Sequence, residues 1–164
     1  MRILGIDPGT ATTGFGVIES EGQQLKFIDG GVITTKPDIA MADRLVIIHR
    51  ELSEIIAEYK PDLAAVELLY FATNVTTAMT VGQARGVVLL ALSQSNIRII
   101  EFTPLQVKQA VTGYGKAAKP QIQEMVKTLL KLDQIPRPDD AADALAIAIA
   151  AAQTSLEPKK AVMR

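Results

Sequence analysis

After the break at Pro61-Asp62, the chain runs Leu63-Ala64-Ala65-Val66-Glu67-Leu68-Leu69, apolar at every position but one. A strand that is apolar on consecutive rather than alternate residues is covered on both faces, so the sheet containing it carries helices above and below. The segments around it fit that demand. Arg2–Asp7 reads as a short strand stopped by Pro8-Gly9-Thr10, Gly14–Glu19 as a second, and Leu25–Thr34 as a third across a turn at Ser20-Glu21-Gly22-Gln23. Met41–Tyr59 has helical periodicity, with Leu45, Ile48, Leu52, Ile55 and Ile56 on one stripe. A long helix is expected over Asn74–Ser95 with Asn74 as N-cap, and a fifth strand over Ile97–Phe102. Helices follow at 104–112, 120–132 and 139–153. Tight turns impose antiparallel pairing on the first three strands, and helical crossovers impose parallel pairing on the rest. The expected fold is α/β: a mixed five-stranded sheet flanked by helices, in one domain over residues 1–153, with 154–164 a short flexible C-terminal tail.

Bulk properties narrow the function. The chain has 164 residues and no cysteine, which excludes disulfides and thiolate metal sites. Its longest unbroken apolar run, Ala144–Ala152, is far short of a membrane span, and the apolar stretch at the N-terminus reaches Asp7 within a few residues, unlike a signal peptide. A cytoplasmic location without a membrane partner is therefore expected. Net charge is −1, which argues against a nucleic-acid partner, but residues 98–131 carry six basic side chains against Glu101 and Glu124. With Asp7, Glu67, Asp140 and Asp143 set aside, the remaining chain carries +3.

Those four acids occupy positions that folding alone does not favour. Asp7 ends an apolar strand, and Glu67 lies inside one, where a lone charge is costly. Asp140 and Asp143 open a helix of Ala, Leu and Ile on nearly every face, and at i and i+3 they share a side. Other roles remain open at this stage. Asp7 before Pro-Gly suits a turn, Asp139 and Asp140 suit an N-cap, and Glu67 suits a buried ion pair. If the acids converge, carboxylates about 5 Å apart repel by roughly 3 kcal/mol per pair at an effective dielectric near 20. Convergence then requires a proton or a bound cation. An all-oxygen donor set favours a hard ion, Mg²⁺ or Mn²⁺, and such clusters host two-metal phosphodiester hydrolysis.

At this point the residues resemble a known family. Gly5-Ile6-Asp7-Pro8-Gly9-Thr10 with Thr13-Gly14-Phe15-Gly16-Val17-Ile18 is similar to the opening of RuvC resolvases, which cut four-way (Holliday) DNA junctions. Glu67-Leu68-Leu69-Tyr70-Phe71-Ala72-Thr73-Asn74 resembles the family's second acidic strand and the loop after it, and Gly82-Gln83-Ala84-Arg85-Gly86 its central helix. Gln106-Val107-Lys108-Gln109 and Asp140-Ala141-Ala142-Asp143-Ala144-Leu145-Ala146-Ile147-Ala148 resemble its last two signatures. The match runs in order from residue 3 to about 150.

The resemblance implies a ribonuclease H-like fold and a Mg²⁺-dependent endonuclease, with Mn²⁺ able to substitute. Asp7, Glu67, Asp140 and Asp143 would be its catalytic, metal-binding acids, holding two ions per site. It implies a homodimer acting in recombination and repair, making symmetric paired nicks with 5′-phosphate and 3′-hydroxyl ends, and possible docking of the branch-migration proteins RuvA and RuvB. Tyr70 matches an aromatic that stacks on opened bases; Lys108 and Lys119 match lysines near the scissile backbone; Arg85 falls in a matched segment and is taken as a further DNA contact. The all-apolar stretch Val87–Leu92 offers one face to the sheet and another to a partner subunit. His49 matches no ligand position.

Three other readings compete. A nuclease of the same fold could act on RNA–DNA hybrids or other branched DNA. An ATP-dependent phosphotransferase of the actin-like type shares a Gly-Ile-Asp-Pro-Gly-Thr-like phosphate loop, but needs a second domain and loop not found here. A junction-binding module without catalysis would not need all four acids.

Overall fold

The computed structural model describes residues 1–68 and 75–156. Its elements are β1 (Arg2–Asp7), β2 (Thr12–Glu21), β3 (Gln24–Thr34), α1 (Met41–Tyr59), β4 (Leu63–Glu67), α2 (Val75–Gln94), β5 (Arg98–Phe102), α3 (Pro104–Thr112), α4 (Lys119–Leu129) and α5 (Asp139–Leu156). The sheet order is β3-β2-β1-β4-β5. The β1–β2 and β2–β3 pairs are antiparallel; β1–β4 and β4–β5 are parallel. This is the mixed five-stranded sheet expected from the turns and crossovers.

Period-two alternation assigns each strand residue to a layer. Ile3, Leu63 and Ala65 pack with the faces of α3, α4 and α5 that bury Val107, Val111, Ile122, Val126 and residues 145–152. Leu4, Ile6, Ala64 and Val66 turn the other way, onto Ile48 and Leu52 of α1 and Ala84, Val88 and Leu92 of α2. The β4 strand is thus covered on both sides, as its unbroken apolar run requires.

Boundaries differ from the sequence pattern in a few places. β2 and β3 extend to a two-residue loop, Gly22-Gln23, with Glu21 opposite Gln24 and Gly22 at φ 59. β4 ends at Glu67; the expected strand end at Leu69 and the expected cap Asn74 lie outside the described residues. α4 stops at Leu129 although Leu132 continues its apolar pattern. Lys131 takes a left-handed conformation (φ 53) and the Leu132 N–H returns to the Lys127 carbonyl at 2.9 Å, a Schellman-type ending that still packs Leu132 on the core. α5 continues to Leu156, three residues beyond its expected end, with the Thr154 and Ser155 hydroxyls bonded back to the Ala150 and Ala151 carbonyls.

Two glycines let α5 lie against the sheet. A Cβ on Gly5 would stand 2.1 Å from the Ala144 carbonyl oxygen, and one on Gly14 would stand 2.1 Å from that of Asp140. No larger residue fits between strand and helix at either point. α2 is long and apolar enough, by length and composition, to cross a membrane. In the fold it packs on α1 and buries Ala84, Val88, Ala91 and Leu92, leaving Val75, Met79 and Leu90 exposed.

Candidate active site

Asp7 and Glu67 end adjacent strands, one residue past the paired Ile6 and Val66. They fall on the same side of the sheet because Ile3, Gly5 and Asp7 alternate with Leu4 and Ile6, and Leu63, Ala65 and Glu67 alternate with Ala64 and Val66. That side is the one α5 crosses. Gly14, opposite Asp7 in the register, touches the Asp140 backbone, so the first turn of α5 arrives directly over the Asp7 end of β1. The carboxyl ends of strands in an open α/β sheet, at the point where connections switch direction, are where such folds place ligands.

Asp7, Asp140 and Asp143 each offer a carboxylate oxygen, all within 4.8 Å of one another. Glu67 joins Asp7 and Asp143 in lining a cavity of about 230 Å³, closed by Pro104, Val107 and Lys108 of α3, Lys119 and Ile122 of α4, and Ala146. Three of the four acids singled out in the sequence thus lie together, and Glu67 lines the cavity beside Asp7 and Asp143. Of the basic residues, Lys108 and Lys119 line this cavity. Lys119 Nζ donates to Asp143 Oδ2 at 3.0 Å and lies 3.7 Å from Asp139 Oδ2. Arg85 is elsewhere: it pairs with Glu101 of β5, and its Nε is buried without a hydrogen-bond partner. Tyr70 lies outside the described residues.

The electrostatics follow from crowding. Burial pushes the Asp7 carboxyl up from 3.8 to about 7, and the charges of Glu67, Asp143 and Asp140 push the same way against Lys119. Burial also raises Glu67, with Asp143 adding and Lys108 opposing. Asp143 is raised by burial despite its hydrogen bond from Lys119, and that bond holds Lys119 above the ordinary lysine value. At the observed separations each pair of ionised carboxylates repels by roughly 3 kcal/mol at an effective dielectric near 20. The acids therefore need a proton or a cation. An all-oxygen donor set of this spacing fits a hard divalent ion.

The sequence pattern missed how the turn after β1 is held. Thr13, 1 % exposed, donates its hydroxyl to the Gly9 carbonyl at 2.7 Å, and Thr35 donates to the Thr10 carbonyl at 2.6 Å. A threonine-rich loop was visible, but which hydroxyl closes on which carbonyl depends on β3 lying beside β2.

Residues 3–151 match the family described as crossover junction endodeoxyribonuclease RuvC. A protein of that description from Alkaliphilus oremlandii is 57% identical over 154 residues, covering 94% of each chain. Among solved structures, Thermus thermophilus RuvC in complex with a Holliday junction substrate superposes with a TM-score of 0.91 at 36% identity, covering 95% of each chain. The yeast mitochondrial Holliday junction resolvase shares the fold, with a TM-score of 0.66 at 14% identity over 94% of this chain and 81% of its own.

Proposed function

The chain belongs to the crossover junction endodeoxyribonuclease RuvC family, and from that premise we propose that it resolves four-way DNA junctions by paired, symmetric hydrolytic nicks leaving 5′-phosphate and 3′-hydroxyl ends. The observation that carries the chemistry is the meeting of Asp7, Asp140 and Asp143 within 4.8 Å, beside Glu67, in a cavity flanked by lysines. These four acids would hold two divalent ions, Mg²⁺ with Mn²⁺ able to substitute. Held there, such ions would supply activation of the attacking water and neutralisation of charge at the leaving oxygen.

The chain's own residues do the rest. Burial raises both Asp7 and Glu67, and Asp7, at about 7, would release its proton more readily with a cation in the site. Lys108 and Lys119 stand at the cavity wall, where an incoming phosphate brings its negative charge. Lys119 also holds Asp143 in place through its hydrogen bond. Tyr70, in the segment after β4, would stack on a base unpaired at the junction centre. Arg85, engaged with Glu101, would contact DNA through the guanidinium donors which that pair leaves free.

Two nicks on opposed strands need two sites related by a two-fold axis, as in a homodimer. The exposed Val75, Met79 and Leu90 of α2 and Val46 of α1 supply apolar surface for a second copy. Cytoplasmic action alongside RuvA and RuvB fits the same role.

The test is a labelled synthetic four-way junction incubated with Mg²⁺ and, separately, with EDTA. Paired cuts that a ligase can reseal, dependent on Mg²⁺, are expected. Cutting of RNA–DNA hybrids with the junction left intact would overturn the proposal in favour of another nuclease of this fold.

A further inference from the structure

A second cavity, of about 430 Å³, meets the acidic cluster at Asp140 and shares no lining residue with the first. It is bounded by the turn Gly9-Thr10-Ala11-Thr12, by Met41 and Arg44 from the start of α1, and by Thr77, Thr80 and Val81 near the start of α2. Its lining is hydroxyl-rich, with one cation.

That cation is held in a particular way. Arg44 Nε donates to the Thr35 hydroxyl at 2.8 Å; Thr35 in turn donates to the Thr10 carbonyl at 2.6 Å, and the Thr10 hydroxyl donates to the Thr80 carbonyl at 2.8 Å. Thr35 and Thr10 are both buried. The guanidinium is therefore tied through a hydrogen-bonded chain to the turn that follows Asp7. A guanidinium has five N–H donors, and Thr35 takes one. Among the described residues no carboxylate lies within ion-pair distance of Arg44, whereas Arg2, Arg85 and Arg137 each have one. A half-buried arginine that has lost rotamer freedom to a threonine, yet has no anionic partner from its own chain, is arranged for an anion from outside. Its planar fork matches two oxygens of a phosphate.

The position of the cavity says which phosphate. Asp140 belongs both to this cavity and to the metal-competent cluster, so a strand with its scissile phosphate at the acids would come within reach of Arg44 on passing Asp140. Met41 and Val81 give apolar surface for the intervening sugar. A free anion would be repelled by Asp140, but a strand already anchored at cation-loaded acids would not. We infer that Arg44 is a DNA-binding residue that grips a backbone phosphate next to the scissile one, setting the strand's register in the active site. This inference rests on the junction-cutting reading.

The experiment compares the full-length wild type with Arg44→Gln and Arg44→Lys on a fluorescent four-way junction. Affinity is measured across a salt series with Ca²⁺ in place of Mg²⁺, so that the acids carry a cation, single-turnover cleavage with Mg²⁺, and fold by thermal unfolding. Arg44→Gln is expected to bind about tenfold more weakly, with a log–log salt slope shallower by about 1. Arg44→Lys, keeping the charge but not the fork, should retain the wild-type slope and cleave more slowly. In the wild type, a methylphosphonate scan along the cut strand needs no variant: neutralising one phosphate near the scissile bond should cost the same factor, and should cost nothing further in Arg44→Gln. A wild-type protein that ignores the junction overturns both this inference and the proposed function. Junction cutting by the wild type, with an Arg44→Gln slope equal to its own or no phosphate coupled to Arg44, overturns this inference alone.

Discussion

Replacing Asp7 by Asn should stabilise the protein above about pH 7 when divalent ions are absent, while abolishing its activity. The Asp7 carboxyl is raised from 3.8 to about 7, first by burial and then by neighbouring acids. A carboxyl raised on folding helps stability fully below its unfolded value and loses that help as pH rises through its folded value. Above about pH 7, folded and unfolded states are both ionised, and the folded state carries the whole cost. Roughly three pH units at about 1.4 kcal/mol each is roughly 4 kcal/mol, as an order of magnitude. Asn has nearly the same shape and no charge to bury, but remains a polar group with imperfect partners. A net gain of about 2–3 kcal/mol is therefore expected. For a chain of this size that is an increase in Tm of roughly 5–10 °C at pH 8 in EDTA. Scanning calorimetry from pH 4 to pH 8 gives a second signature. The wild-type Tm should fall across that range, and the variant should lose most of the fall. Adding Mg²⁺ should raise the wild-type Tm and leave the variant almost unchanged. An Asp7→Asn protein that is less stable than the wild type in EDTA at pH 8, with the same pH slope, would refute the electrostatic account of the site.

Glu67→Gln should leave junction binding intact and eliminate cleavage, measured by gel shift and by strand nicking on one substrate; full activity would remove Glu67 from the site. Gly14→Ala drives a methyl group into the Asp140 carbonyl, so a loss of about 3 kcal/mol and a higher Mg²⁺ requirement for cleavage are expected; unchanged unfolding curves would show that α5 yields freely. Lys119→Met removes the hydrogen bond that opposes the rise of Asp143, so divalent-ion binding, followed by calorimetry, should need higher pH than in the wild type. Tyr70→Ala should slow cleavage more than it weakens binding, and equal losses in the two assays would reduce Tyr70 to a folding role.

Part of this was legible in the primary structure because four acids stand where an apolar strand or helix does not favour them. The i, i+3 spacing of Asp140 and Asp143 puts both on one side of α5, and the apolar runs around Asp7 and Glu67 mark both as misplaced charges, but that these two share a face follows from the β1–β4 register. The apolar cover on both faces of β4 was equally readable. What could not be read depends on contacts between segments far apart in sequence. Arg85 sits in a family-like segment, but its partner Glu101 is on a different strand, and only the packing of α2 on β5 joins them. The α4 terminus is decided by one left-handed residue, Lys131, which nothing in its side chain announces. The Thr10–Thr35–Arg44 chain exists only because β3 returns beside β2.

The contact of α5 with Gly5 and Gly14 carries a consequence for which ion the site admits. There main chain meets main chain, so the aperture between the strand acid and the helix acids is gauged by peptide geometry and not by aliphatic side chains. Side-chain packing loosens with heat, and core residues exchange for others of similar size, yet neither changes a gap set by a carbonyl resting on a glycine. Any discrimination between a small octahedral cation and a larger one with seven or eight ligands would then draw on the scaffold itself, and would last only until the helix lifts away.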